Sequence, residues 1–304
     1  MSGARLGQHF LHDRAVLRVV ADALQIAPGD IIIEIGAGHG ELTSELLALS
    51  DKLPTKPPKI IALEKDSKLA EQLRTTFSAR GVEIIESDVR EILPSLALEL
   101  KAQSYKLVGN IPYYLTGFLL RIVGDLAPLP ARAVFTMQKE VAERIAARPS
   151  HMTRSARSGS SRACRGMNQL AASVQFWAKP KILGIIPRSA FVPPPEVDSA
   201  IIVLTPQTDA DITQKHAEGE RANPERYYAA VHALFRQPRK TLLNNIVDAT
   251  NLPKNKVAAA LERMGIGSTA RPHNLSLSQI SALAADFAFP AAKSPREERR
   301  SARK

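Results

Sequence analysis

The segment Asn110-Ile111-Pro112-Tyr113 has residue types that suit chemistry on an amino group attached to a nucleobase. The amino nitrogen of adenine is a poor nucleophile because its lone pair is delocalised into the ring. Hydrogen-bond acceptors around that nitrogen favour a pyramidal geometry, and the side-chain oxygen of Asn110 and the carbonyl of Ile111 can supply them. Pro112 fixes the turn and has no N–H to compete. Tyr113 can stack on the base, so Asn110 and Tyr113 are candidate catalytic residues.

A second aromatic side chain, Phe191, precedes the rigid run Pro193-Pro194-Pro195. It could stack on the opposite face of the same base, which makes it the third candidate catalytic residue. The alternative is that Phe191 is an ordinary core aromatic before a stiff loop.

Three further sites suit a nucleoside cofactor. The loop Gly36-Ala37-Gly38-His39-Gly40 lets the backbone approach a ligand closely. Glu64 could accept hydrogen bonds from two ribose hydroxyls, and Asp88 could accept one from an adenine amino group. Each feature alone is more often a structural turn or a solvated acid, but the three follow successive apolar runs in order. The G-x-G-x-G spacing differs from the G-x-G-x-x-G of dinucleotide binders, which favours S-adenosylmethionine.

The elements that position these residues are short apolar runs alternating with amphipathic segments. The runs that read as strands are residues 30–35, 59–63, 82–85, 105–108 and 131–137, and residues 41–49, 66–77 and 140–147 read as helices, with Asp66 as an N-cap. This alternation predicts an α/β fold with a doubly wound, mostly parallel, Rossmann-like sheet. Ligands bind beyond the carboxyl ends of such strands, where the candidate residues stand.

The remainder of the chain predicts a second domain. Two more apolar runs, 171–176 and 197–204, complete a methyltransferase domain over 1–206, and 207–223 reads as a linker. Residues 224–290 predict a small all-helical C-terminal domain that binds RNA. The Arg/Ser-rich stretch 153–166 reads as a disordered insertion, and 291–304 as a disordered basic tail.

Composition excludes a disordered, collagenous or coiled-coil chain: 44% of the 304 residues are hydrophobic and 23% are charged. The net charge of +11 suggests an anionic partner. The insertion and the tail each contribute +4, which leaves only +3 for the rest of the chain. With a single cysteine, Cys164, and no apolar run near membrane-spanning length, we expect a soluble cytoplasmic protein.

Taken together, these residues resemble the KsgA family of ribosomal RNA adenine N6,N6-dimethyltransferases. The resemblance covers residues 5 to 288 and rests on segments in both halves of the chain: Leu6 to Leu11, Glu34 to Gly40, Glu64, Asp88, Asn110 to Tyr113, Gln138 to Ile145, Phe191 to Ser199, Phe235 to Leu242 and Arg271 to Leu277.

The resemblance implies S-adenosylmethionine as methyl donor and two adjacent adenines in a hairpin loop near the 3′ end of small-subunit (16S) rRNA as substrate. By matching motif, the implied cofactor contacts are His9, Leu11, Gly36, Glu64, Asp88 and Asn110. For contact with the 30S precursor during ribosome biogenesis we predict Arg188, Arg236, Arg239, Lys240 and Arg271, although ordinary solvated faces are the alternative for each. A monomer without a membrane partner is expected.

The sequence departs from the family at two places. His9 stands where the family usually has Asn, and we expect its contact to be weakened or rerouted. His9 and His12 could suggest a metal site, but two histidines without further ligands favour none. The insertion 153–166 replaces a short loop, and it is either a surface extension without function or an added RNA-contacting arm.

Three other functions remain open at this point. The chain could methylate adenine in large-subunit rRNA, as the macrolide-resistance methylases do, although the segment Phe235 to Leu242 argues against this. It could be an assembly factor that binds RNA without catalysis, which the intact Asn110 to Tyr113 disfavours. A nicotinamide oxidoreductase would need the other glycine spacing.

Overall fold

The computed structural model describes residues 9–100, 104–149, 166–207 and 223–291. Contacts divide the chain into two units. The first falls within Met1–Ala146 and Trp177–Pro206, and the second within Ala147–Phe176 and Gln207–Lys304. Among the described residues, no helix is long and apolar enough to cross a membrane.

The first unit contains a seven-stranded sheet in the order β4-β3-β2-β5-β6-β9-β7. Its strands are β2 (Ile31–Ile35), β3 (Lys59–Glu64), β4 (Glu83–Glu86), β5 (Tyr105–Asn110), β6 (Arg132–Gln138), β7 (Ala178–Ile186) and β9 (Ser199–Pro206). The five strands from β2 to β6 pair in parallel, and β9 joins β6 and β7 antiparallel. The doubly wound, mostly parallel sheet predicted from the sequence is confirmed.

Two short strands, β1 (Phe10–Leu11) and β8 (Phe191–Val192), pair antiparallel beside this sheet, with Leu11 opposite Phe191. The pairing explains how a segment near residue 10 and one near residue 190 come to the same place. Both side chains join the apolar core of the first unit, at 4% and 2% exposure.

Helices follow most strands of the first unit: α1 (Arg14–Ala23), α2 (Glu41–Ser50), α3 (Ser67–Phe77), α4 (Val89–Glu99), α5 (Thr116–Asp125) and α6 (Lys139–Ile145). Asp66 is the N-cap of α3, as predicted, and accepts from the N–H groups of Lys68 and Leu69. Asp88 is likewise the N-cap of α4. The strand ends and helix starts therefore share one edge of the sheet.

The described part of the second unit is helical, with α7 (Gln169–Trp177), α8 (Pro224–Phe235), α9 (Leu242–Thr250), α10 (Lys254–Arg263) and α11 (Leu277–Asp286). Its core joins α7 to the C-terminal helices. The Tyr227 hydroxyl donates to the Ala172 carbonyl over 3.1 Å, and the Tyr227 ring stacks on Phe176 with centroids 4.0 Å apart.

The structure corrects the predicted boundary at this point. The sequence placed all of 1–206 in one domain, with the apolar run 171–176 inside it, whereas this run is helical and packs in the second unit. A short apolar run does not distinguish a strand from a buried helix. The strand β7 just beyond it was not predicted. The predicted insertion, linker and tail lie outside the described residues, except for Gly166, Gln207, Asn223 and Ala291 at their ends.

Candidate active site

A cavity of about 530 Å³ lies in the first unit, at the carboxyl ends of strands β2 to β5. Seven residues predicted from the sequence line it: His9, Gly36, Glu64, Asp88, Asn110, Tyr113 and Phe191. Leu11 is the exception among the predicted cofactor contacts. Its side chain is buried in the core and does not line the cavity. The structure therefore brings both candidate sets, for cofactor and for base, to one cavity.

The glycine loop needs glycine at its ends for two different reasons. Gly36 has φ +70°, and a Cβ there would meet nothing within 4 Å, so its backbone faces open space at the cavity. Gly40 has φ +88°, and a Cβ there would lie 2.3 Å from the Phe77 ring. Gly40 therefore lets α2 begin close against α3, while Gly36 leaves room for a ligand.

Glu64 is held in place by the backbone. One carboxylate oxygen, Oε1, accepts from the N–H groups of Lys65 (2.8 Å) and Asp66 (2.9 Å), and Oε2 accepts from Gly38 N–H at 2.9 Å. A carboxylate has about four acceptor positions, so the described contacts leave one free, on Oε2. One acceptor position of Oε2 is therefore open to a ribose hydroxyl, and the two-hydroxyl contact stays a prediction.

Asp88 is held by cationic side chains. Its Oδ1 accepts from the backbone N–H of Arg90 (3.0 Å) and from Arg90 Nε (2.9 Å). Its Oδ2 accepts from Arg90 Nη2 (2.5 Å) and Lys65 Nζ (2.8 Å). The hydrogen bonds from Arg90 are the main reason that the pKa of Asp88 lies well below its usual range. Because all four acceptor positions are filled, an adenine amino group can bind Asp88 only if one donor leaves.

The side chain of Asn110 is fixed from two sides. Its Nδ2 donates to the His9 carbonyl over 2.8 Å, and its Oδ1 accepts from Thr136 Oγ1 at 2.5 Å. Thr136 lies directly opposite Asn110 in the β5–β6 register and is 1% exposed. The Thr136 carbonyl also accepts from Ile111 N–H at 3.1 Å. These contacts set which end of the amide is the acceptor, and one lone pair of Oδ1 remains for a ligand.

Aromatic rings form the wall beside Asn110. Burial raises the pKa of Tyr113, whose hydroxyl lies 2.9 Å from Ser199 Oγ. The His9 ring lies 5.8 Å from that of Tyr113, and its Nδ1 is 2.8 Å from the Pro193 carbonyl. The residue that replaces the family's Asn thus contributes its carbonyl to Asn110 and its ring to the cavity wall.

Sequence reasoning missed several residues that support the site, among them Thr136, Glu34, Lys65 and Arg90. Thr136 carried no signal, because it stands in an apolar strand without a motif. Glu34 did carry one, since it is the only acid in the apolar run 31–35. Glu34 is buried beneath the glycine loop, and desolvation raises its pKa to about 8 while the Thr43 hydroxyl donates to it over 2.6 Å. Burial therefore favours the protonated form of Glu34.

The predicted RNA contacts are divided between the units. Arg188 is exposed in the first unit, and Arg236, Arg239, Lys240 and Arg271 are exposed in the second. Lys240 pairs with Asp248 at 3.0 Å. The His12 side chain is 3.5 Å from Glu41. In the described ranges, no group of three or more His, Cys, Asp or Glu residues could hold a metal ion.

Comparison with known proteins establishes the family. The profile of "Ribosomal RNA adenine dimethylase" matches residues 3–288. The chain belongs to this family. It is 35% identical over 278 residues to "Ribosomal RNA small subunit methyltransferase A" of Dehalococcoides mccartyi, which covers 90% of this chain and 84% of that protein. It is 33% identical over 288 residues to the protein of the same name from Geobacillus thermodenitrificans, covering 91% and 88%.

Solved structures show the same fold. A dimethyladenosine transferase from Plasmodium falciparum aligns with a TM-score of 0.69 at 23% identity, over 92% of this chain and 97% of the other. The 23S rRNA methyltransferase ErmE aligns with a TM-score of 0.63, also at 23% identity, over 91% and 98%. Family membership confirms the resemblance found in the sequence, the methyltransferase class of the enzyme and S-adenosylmethionine as its methyl donor.

Proposed function

We propose that this protein transfers two methyl groups to N6 of each of two adjacent adenines in the 3′-terminal hairpin loop of 16S rRNA, acting in the cytoplasm on the 30S precursor. One observation supports this most directly. The fixed amide of Asn110 lines the same cavity as the aromatic rings of Tyr113 and Phe191 and the carboxylates of Glu64 and Asp88. The choice of substrate is supported by the relatives described above, which are named as methyltransferases of the small ribosomal subunit RNA.

The cavity fits S-adenosylmethionine, which when bound supplies an electrophilic methyl group on a sulfonium. Gly36 offers an open backbone, Glu64 keeps one acceptor position for a ribose hydroxyl, and Asp88 stands where the adenine amino group is expected. A nucleoside cofactor without phosphates needs hydrogen-bond acceptors and apolar walls of this kind.

The residues around Asn110 would act on the target base. Tyr113 holds the adenine by stacking, Phe191 lines the same cavity from the core at 2% exposure, and the free lone pair of Asn110 Oδ1 accepts from N6–H. That hydrogen bond favours a pyramidal nitrogen with its lone pair outside the ring. Because the nitrogen loses its proton after the methyl group has arrived, no side chain need remove it beforehand.

The test is incorporation of labelled methyl groups. The protein and labelled S-adenosylmethionine are mixed with small subunits lacking the modification, and in parallel with large subunits. We expect label only in small subunits, as N6,N6-dimethyladenosine at the two loop adenines. Label in large subunits alone would establish the alternative substrate, and binding without label would establish a non-catalytic assembly factor.

A second experiment tests the proposed RNA contact of the loop between α8 and α9. Replacing Arg239 and Lys240 with Ala should weaken subunit binding and reduce the slope of log K against log salt by about two. The matched control replaces Lys254 and Lys256, two exposed lysines of the same unit, and removes the same charge. Equal slopes for the two double variants would remove Arg239 and Lys240 from the interface.

A further inference from the structure

Two large aromatic side chains are exposed beside the cavity mouth. Tyr114, which lines the cavity, is 66% exposed, and Phe118 is 47% exposed. Exposed aromatic rings that neighbour each other are uncommon on a surface without a partner, because water contacts most of their apolar area. Single exposed apolar residues need no explanation, so their arrangement decides whether these two matter.

The backbone places both rings on one face. The 3-10 turn Tyr113–Leu115 runs directly into α5, so Tyr114 and Phe118 stand four residues apart on continuous helical backbone, one turn from each other. Gly117 lies between them, exposed, and a Cβ there would meet nothing within 4 Å. Glycine therefore leaves the surface between the two rings open. We call Tyr114, Gly117, Phe118 and Arg121 the mouth platform.

The opposite face of α5 is sufficient to hold the helix. Leu119, Leu120 and Val123 are at most 2% exposed and pack in the core. Neither Tyr114 nor Phe118 is needed for this packing. The aromatic face is therefore available for a ligand at no cost to the fold.

An arginine stands near each of the two rings. Arg90 lines the same cavity as Tyr114 with 45% of its side chain exposed, and its guanidinium is held by Asp88. Arg121 is exposed one helical turn beyond Phe118, with the acid Asp125 one further turn away. Aromatic rings interleaved with arginine are typical of surfaces that bind single-stranded nucleic acid.

We propose that the mouth platform binds the unpaired nucleotide next to the target adenine. Its base stacks on Tyr114 and Phe118, and Arg121 contacts a phosphate. This inference rests on the proposed function, because a base inside the cavity leaves its covalent neighbour at the cavity mouth. Since the proposed substrate has two adjacent adenines, the platform would hold one while the other is in the cavity.

The test combines variants of Phe118 with a change in the RNA. Phe118→Leu keeps an apolar side chain but removes the ring, and Phe118→Trp keeps a ring. With the hairpin as substrate, we expect Phe118→Leu to raise the KM for RNA about 10-fold and to leave cofactor affinity unchanged. Phe118→Trp should restore the original KM. With a hairpin whose nucleotide beside the target is abasic, the protein and Phe118→Leu should have the same KM.

The tryptophan variant also gives a readout independent of activity. The chain has one tryptophan, Trp177, which is 1% exposed. Because Trp177 is buried, a change in emission from the Phe118→Trp variant reports on the new tryptophan. We expect an unpaired oligoadenylate to quench that emission and a fully paired duplex to leave it unchanged. The platform would be overturned if Phe118→Leu raised KM equally with intact and abasic RNA. It would also be overturned if oligoadenylate did not quench the emission of Phe118→Trp. If the quenching is seen but the protein methylates no hairpin, the proposed function fails and the platform stands only as a site for an unpaired nucleotide.

Discussion

The two ends of the cavity are built by different physical means. At the β5 end, Asn110 is oriented by a backbone carbonyl and by the buried hydroxyl of Thr136. At the β4 end, Asp88 is held by Lys65 and Arg90, whose side chains are 68% and 45% exposed. Buried neutral groups fix a geometry, while exposed cations can exchange for a ligand at little cost. The end assigned to methyl transfer is therefore rigid, and the end assigned to cofactor adenine is adjustable.

Removing the rigid acceptor should have the largest effect. Asn110→Ala deletes the oxygen that accepts from N6–H, and we expect the single-turnover rate of methyl transfer to fall about 100- to 1000-fold, as for other preorganised polar groups. The measurement is label transfer at saturating RNA and cofactor. RNA affinity should change little, while the melting temperature should fall by a few degrees because the Thr136 hydroxyl and the His9 carbonyl lose their partner. A rate within about threefold of the unmodified protein would mean that another group orients N6.

Glu64 is intermediate between the rigid Asn110 and the adjustable Asp88, because it is a charged group held by backbone N–H groups. In Glu64→Gln, the new amide NH2 must face one or more of three backbone donors, and the acceptor for ribose is weakened. We expect cofactor affinity to fall about 10- to 100-fold, measured by calorimetry. The matched control is Glu86→Gln, the in-register residue at the end of β4, which pairs with Arg74 instead. An equal loss in both variants would remove the specific role of Glu64.

The difference between the two ends also explains what the sequence could predict. Glycine spacing, Glu64, Asp88 and Asn110 to Tyr113 all stand at strand ends, and a parallel sheet brings strand ends together whatever the details of packing. The sheet and the cavity lining were therefore predictable. Leu11 was predicted as a cofactor contact by motif alone, and its pairing with Phe191 places its side chain in the core.

What the sequence could not predict depends on contacts between distant residues. Thr136 meets Asn110 only through the β5–β6 register, which leaves no local pattern. Lys65 and Arg90 are ordinary surface cations in the sequence, and only the structure shows that both bind Asp88. The apolar run 171–176 gave no sign that it belongs to a helix of the second unit, because a short apolar run fits a buried strand and a buried helix equally well.

Thr136 permits a direct test of the rigid end without touching the cavity. Thr136→Val keeps the shape of the side chain but removes the donor to Asn110 Oδ1. We expect the rate at saturating RNA to fall about 10-fold, because the Asn110 amide loses the hydrogen bond that sets its orientation. Thr136→Ser should recover most of the rate. If the variant raised the RNA KM and left the saturated rate unchanged, or if Ser were no better than Val, Thr136 would be only a packing residue.

The adjustable end should show the smallest effect, in the opposite direction. Lys65→Met frees one acceptor position on Asp88, so the adenine amino group no longer has to displace a donor. We expect cofactor affinity to rise about threefold at low salt, and less at high salt, because exposed ion pairs contribute roughly 0 to 1 kcal/mol. Lys68→Met removes the same charge from an exposed lysine near the start of α3 and controls for net charge. An equal gain in cofactor affinity in both variants would assign the effect to long-range charge. Weaker cofactor binding in Lys65→Met alone would show that Lys65 helps to hold the cofactor. The β4 end of the cavity would then be as fixed as the β5 end.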